Sequence, residues 1–181
     1  MDGSQLEADH VVVATGAFGD PSVPALAANL APWIHSIHTD DYWAPEDLPA
    51  GGVLVVGSGQ SGLQIADELA RGGRPVVVAV GRHGWVPRRV YGRDQMRWRW
   101  DNGDYRSVVA DPDRPKADYP FTFLARWGME DFNVRTAWLS GVRLAGHLVG
   151  VDGTRVTFAS DLVALLRTRR RRGTRLHPPD P

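Results

Sequence analysis

The chain has 181 residues, 43% hydrophobic and 23% charged, with a formal net charge of zero and no cysteine. That is enough for one domain with a real core and too little for two of ordinary size. Disulfides, thiolate metal sites and cysteine nucleophiles are excluded, and no 18-residue apolar run predicts a membrane-spanning helix. The first ten residues, MDGSQLEADH, lack the basic start and apolar centre of a secretory signal, so a cytoplasmic location is expected.

In chain order, His10 to Gly16 (HVVVATG) is a β-branched run closed by glycine and predicts a buried strand ending in a loop. Pro21, Pro24 and Pro32 then rule out one continuous helix or strand, and the stretch reads as a connection. After a second proline-bearing patch, Ala44 to Pro49, the pattern turns strongly apolar, which places the start of a compact unit near Gly51. A strand is predicted at Val53 to Val56, a helix from about Ser61 to Arg71, and a second strand at Pro75 to Val80. Leu63, Ile65, Ala66, Leu69 and Ala70 share one side at helical spacing. Both strands are nearly continuous apolar runs, as in a parallel sheet covered on both faces. The fold class expected is α/β, a Rossmann-like βαβ unit with a parallel sheet, plus a β-hairpin near the C-terminal end. Past Trp85 the pattern is too mixed to assign. Order returns where two runs flank Asp152-Gly153, a hairpin signal. From Arg167 to Arg175 there are six arginines and no acid, so the body of the chain is mildly acidic. A solvated, disordered tail is expected there. Nucleic acid is not the expected partner, because no aromatic platform accompanies the arginines.

Gly57, Gly59 and Gly62 have the G-x-G-x-x-G spacing between strand and helix. The first permits the tight exit from the strand, the second lets a pyrophosphate approach the backbone, and the third lets the helix pack close. Phosphates would meet the helix N-terminus. Gly57, Ser58, Gly59, Gln60, Ser61 and Gly62 are therefore the candidate cofactor-binding residues. An NAD site usually carries an acid at the end of the second strand, but here no acidic residue lies between Glu68 and Asp94. Arg82 follows the strand, with Arg88, Arg89 and Arg93 soon after. Arginine suits a 2′-phosphate, so NADPH is the cofactor expected and Arg82 the first candidate to bind it. The alternative, that these arginines are ordinary surface residues, stays open.

The order of VVVATGAFGDPSVP, HTDDYW and VLVVGSGQSGLQIADELA resembles the class B flavin-dependent monooxygenases and their smaller bacterial relatives. In that resemblance Ala14-Thr15-Gly16 links an FAD domain to an NADPH domain. His38, Thr39 and Tyr42 match a His-Ser/Thr-x-x-Tyr element, and Gly57, Gly59, Ser61 and Gly62 match the second, NADPH-binding fingerprint. The chain departs from the family pattern at Pro32 and Ile34, where a Phe and a Gly are expected, and it has no second glycine fingerprint for FAD. It looks like the NADPH-binding half of a longer flavoprotein. The implied organisation is a remnant of an FAD-domain strand and interdomain linker over 1–50, an NADPH domain over 51–163, and a disordered arginine-rich tail over 164–181. The implied activity is that of an NADPH-dependent flavoprotein oxidoreductase or monooxygenase, with FAD as the parent family's second cofactor. A small-molecule substrate of unknown identity, and an FAD-binding segment or second subunit, are the partners that follow.

No histidine spacing suggests a metal site, and no catalytic residue is assigned. His38 is open to two readings, a cofactor or interdomain contact and a plain packing residue. Trp33, Trp85, Trp127 and Trp138 read as core or loop anchors. A non-catalytic NADPH-binding module, or an inactive fragment, is the alternative to an enzyme.

Overall fold

A computed structural model of the chain describes residues 5, 7–12, 14, 21–81, 84–86, 88–103, 121–123 and 132–167. At its centre is a three-stranded parallel sheet of β1 (Val53–Val56), β2 (Val76–Ala79) and β7 (Arg143–Ala145), side by side in that order. Val53 lies opposite Val76, and Val77 opposite Arg143. The expected βαβ unit is present: helix α1 (Gln60–Arg71) crosses from β1 to β2.

The packing of α1 follows from its spacing. Leu63, Ala66 and Leu69 are fully buried, while Gln64, Glu68 and Arg71 face water. They meet Val55, Val76, Val78 and Val80 from the sheet, and Val134 and Ala137 from α3 (Val134–Leu139), in one core. At roughly 1.5 to 3 kcal/mol per buried aliphatic side chain, this cluster supplies most of the drive to fold. One acid, Asp67, is also buried on α1 and pairs with Arg71 one turn on at 3.1 Å. The helix stops at Gly72-Gly73. Gly73 takes φ +81°, and the amides of Gly73 and Arg74 turn back to the carbonyls of Ala70 and Leu69, both at 3.0 Å. That left-handed exit satisfies carbonyls that would otherwise be orphaned. Helix α3 begins with a capping box, in which Asn133 and Thr136 each bond the other's backbone amide.

Residues 25–50 pack on the unit. Three short 3-10 turns, at Ala25–Asn29, Thr39–Asp41 and Pro45–Asp47, suit their proline content. Ala31 and Asn29 bond both backbone groups of Gly153, at the tip of the C-terminal hairpin. Tyr42 and Leu48 pack against the core cluster. Arg74, to which the sequence drew no attention, holds the rest. Its guanidinium donates five bonds to four carbonyls, those of Pro45, Leu48, Pro49 and Gly51. Lysine cannot reproduce that fork. Arg74→Lys is therefore expected to lower stability by about 2 kcal/mol, since several bonds to a charged donor are lost and some carbonyls regain water. Denaturant melts would check this, and an unchanged midpoint would show the clamp to be idle.

The hairpin expected around Asp152-Gly153 is present, with β8 (Leu148–Asp152) antiparallel to β9 (Arg155–Phe158). At its base the His147 ring nitrogen Nδ1 lies 2.7 Å from Asp161, and the His147 amide bonds the same carboxylate at 3.1 Å. The hydrogen bond from His147 holds the Asp161 carboxyl below its ordinary value. A depressed acid stabilises the fold above its unfolded pKa, and this contribution is lost as pH falls through the folded pKa. Asp161→Asn should thus lower the melting temperature at neutral pH, and the gap to wild type should close on acidification below about pH 4. A gap that persists in acid would contradict this.

In the region the sequence left unassigned, β3 (Gly84–Val86) pairs in parallel with β6 (Phe121–Phe123). A small hairpin, β4 (Arg89–Val90) with β5 (Arg93–Asp94), turns through Tyr91 and Gly92 at positive φ and leads into α2 (Gln95–Asp101). Two expectations are corrected. The described residues of the His10–Gly16 run, namely His10, Val11, Val12 and Ala14, are exposed and form no strand. A β-branched run becomes a strand only when another strand pairs with it, and none does so among the described residues. The disorder expected from residue 164 does not hold for α4 (Leu162–Arg167), which is helical, with Leu165 buried in the core. Its apolar side chains give it a surface to dock on. Residues 168–181, with most of the arginines, lie outside the described residues.

Candidate nucleotide-binding site

Strand β1 ends at Val56, where the chain must reverse into α1 within three residues. Gly57 does this at φ +107°, a region that L side chains rarely adopt, while its amide still bonds Ala79 O at 3.0 Å. Gly59 is the N-cap of α1, in extended conformation, and no side chain caps the helix. The first bond of the helix runs from Leu63 N to Gly59 O at 3.1 Å, so the N–H groups of Gln60, Ser61 and Gly62 have no intrahelical partner. The first turn holds no acidic residue. The result is a twelve-residue helix whose positive end is open to an anion.

The three glycines differ in what surrounds them. A Cβ built on Gly62 would strike the Gly57 carbonyl and press on Val55 Cγ1 at 3.3 Å, so helix and strand meet only because residue 62 has no side chain. A Cβ on Gly59 would meet nothing within 4 Å. That space is where a pyrophosphate would pass the backbone, and a side chain would fill it. These residues fit a dinucleotide phosphate.

The structure brings Gly57 to Gly62 together and sorts their side chains. Those of Gln60 and Ser61 are exposed at the helix mouth. Ser58 is 1% exposed and faces inward, its Oγ accepting from the Gly81 amide at 3.0 Å. No spacing rule reveals that inward turn. Arg82, the candidate for the 2′-phosphate, lies outside the described residues, but Gly81 before it is held at the end of β2. Two of the neighbouring arginines, Arg88 and Arg93, are otherwise engaged. Arg88 Nε bonds Asp94 Oδ2 at 2.6 Å, and Arg93 pairs with Asp101 while stacking 5.1 Å from the Trp98 ring centroid. These two hold the β4–β5–α2 unit together. Burial opposes ionisation of Asp94, but the Met96 amide and Arg88 outweigh it and hold its carboxyl below the usual range.

The bonds of His38 and Tyr42 go to residues outside the glycine turn. His38 Nδ1 accepts from the Asp40 amide at 3.2 Å and caps the turn at Thr39–Asp41. The Tyr42 hydroxyl donates to Glu68 Oε2 at 2.9 Å, anchoring the segment to α1. Burial and the neighbouring Glu68 carboxylate push the Tyr42 phenol well above its ordinary value. A cleft of about 190 Å³ lies beside Tyr42 and Trp43, and no residue of the glycine turn lines it. Among the described residues no cluster of histidines and acids could hold a metal ion, and no helix is long and apolar enough to cross a membrane.

A parallel sheet that ends in an uncapped, glycine-mouthed helix defines a Rossmann-like dinucleotide-binding unit. The chain belongs to the pyridine nucleotide-disulphide oxidoreductase family, whose model matches residues 1–93. It is 41% identical over 92 residues to an uncharacterized CzcO-like oxidoreductase of Geobacillus kaustophilus (strain HTA426), a match covering 50% of this chain and 26% of that protein. It is 34% identical over 94 residues to the indole-3-pyruvate monooxygenase YUCCA1 of Oryza sativa subsp. japonica, covering 51% of this chain and 23% of that protein. It is 36% identical over 92 residues to the N-oxide-forming dimethylaniline monooxygenase 4 of Homo sapiens, covering 47% and 16%. These relatives bear out the flavin monooxygenase-like resemblance. The chain spans about a quarter or less of the length of each. No solved structure matches it significantly.

Proposed function

We propose that this chain is the NADPH-binding portion of a flavin-dependent oxidoreductase or monooxygenase, delivering reducing equivalents to FAD for oxygen-dependent oxidation of a small molecule. The observation that carries the reading is the open N-terminus of α1 behind Gly57–Gly62, uncapped and free of acids. When bound, NADPH supplies the hydride. The chain's own part is to bind and orient: the amides of Gln60 and Ser61 would hold the phosphates, the gap at Gly59 would admit them, and Gly62 keeps the helix against the sheet. Arg82 is assigned to the 2′-phosphate, because no acid lies between Glu68 and Asp94 to select the free ribose hydroxyls.

The described residues do not fit FAD as well, because they offer it no second glycine turn at a helix N-terminus. The same observation favours a second reading, a nucleotide-binding module whose flavin is held by another segment or subunit. Calorimetry separates the parts. The chain is expected to bind NADPH more tightly than NADH, and Arg82→Ala should shrink the gap by roughly 1 to 3 kcal/mol, the loss of a charge-assisted bond. Equal affinity for the two cofactors would overturn the NADPH assignment. Reduction of added FAD by NADPH on this chain alone would overturn the module reading.

A further inference from the structure

We propose that His147, braced by Asp161, is a further cofactor-binding residue that accepts a hydrogen bond from the adenine amino group; this rests on the dinucleotide reading above. The three parallel strands end in register. Val56 lies opposite Ala79 and Ala79 opposite Ala145, so the chain leaves all three strands along one carboxyl edge of the sheet. That edge is where ligands of such sheets bind. The pyrophosphate is assigned to the turn after β1, and a dinucleotide of this class sets its adenosine ribose at the end of the second strand, here β2. With the strands in the order β1-β2-β7, the adenosine runs from β1 toward β7. The end of β7 lies two strand spacings, about 10 Å, from the end of β1. Past it, after Gly146, the first side chain is that of His147.

The ring is held for such a contact. Its Nδ1 lies 2.7 Å from Asp161 Oδ2, and the His147 amide donates to Oδ1 of the same carboxylate at 3.1 Å. A Cβ on Gly146 would strike Ala159 O and Asp161 Oδ1, so the connection from β9 to α4 sits directly against the exit of β7. Asp161 is fixed in turn, because its carbonyl accepts from the Leu165 amide at 3.0 Å and Leu165 is in the core. A neutral imidazole whose Nδ1–H donates to a carboxylate keeps an acceptor at Nε2. Nothing among the described residues engages that nitrogen, and the side chain is 34% exposed. The amino group of adenine is a donor and matches it. The oxo group that hypoxanthine carries at the same position is an acceptor and does not.

The test is a titration of the full chain with NADPH and with the analogue that carries hypoxanthine in place of adenine. Wild type is expected to bind the analogue roughly three- to tenfold more weakly, the range for one lost hydrogen bond. His147→Asn keeps an amide donor where Nδ1 faces Asp161 and has nothing at Nε2. It should weaken NADPH by a similar factor and bind the two ligands alike. A histidine needed only to hold the hairpin would lower both affinities equally and leave the preference in place. Should asparagine impair folding, His147→Phe, a flat ring without nitrogens, gives the same comparison. A wild type that binds no NADPH would overturn the dinucleotide reading and this inference together. NADPH binding with no preference over the analogue, or a preference that survives the loss of Nε2, would overturn this inference alone.

Discussion

Gly62→Ala is expected to melt roughly 4 to 8 °C below wild type, the shift that about 2 kcal/mol produces in a domain of this size. Two effects compete. Alanine gains about 1 kcal/mol in helix propensity over glycine. Against that, its Cβ would strike the Gly57 carbonyl and lie 3.3 Å from Val55 Cγ1. Overpacking a tight site costs about 1 to 3 kcal/mol, or more when the atom in the way cannot rotate aside. Here it is backbone, fixed by the Gly57 amide's bond to Ala79, so the clash wins. The carbonyl that must move belongs to the cofactor turn, so nucleotide affinity should fall with stability. Thermal melts with and without NADPH would check both. A variant as stable as wild type would show that helix and sheet are not in close contact at Gly62.

The β1–α1–β2 unit was legible because each of its signals is local and they agree. Apolar runs mark the strands, helical spacing marks α1, and glycines mark the turn and the stop. The helix begins one residue before Ser61 and β2 is shorter by one residue at each end, the usual slack where caps blend into strands. The hairpin at Gly153 was legible for the same reason. What escaped depends on partners distant in sequence. The Arg74 clamp needs four carbonyls over twenty residues away, which no periodicity encodes. The His10–Gly16 run has strand composition, but pairing is decided by another strand and not by composition. α4 was hidden under the arginine count, although Leu162 and Leu165 carry it onto the core. In the site, the glycine positions were readable and the direction of the Ser58 side chain was not, because residues in a tight turn obey neither helix nor strand alternation.

Gly59→Asp should separate binding from folding by moving them in opposite directions. The N-cap of α1 has the extended backbone that capping side chains use, and no cap bond. An aspartate there can accept from the free amides of the first turn and favour the positive end of the dipole. Its Cβ enters open space, so it costs no packing. Stability should hold or rise by about 0.5 kcal/mol, since glycine is only a few tenths of a kcal/mol poorer as a cap and the dipole adds about as much. For a pyrophosphate the same carboxylate is a competitor that takes up the amides, fills the gap and repels the charge. Loss of two charge-assisted bonds of about 1.5 to 3 kcal/mol each implies an affinity at least roughly a hundredfold weaker for NADPH and NADH alike. If the anion site is the mouth of α1, melting and titration of this one variant will diverge. An aspartate variant that kept its cofactor affinity would place the phosphates elsewhere, and one that unfolded would show that Gly59 serves the fold before it serves any ligand.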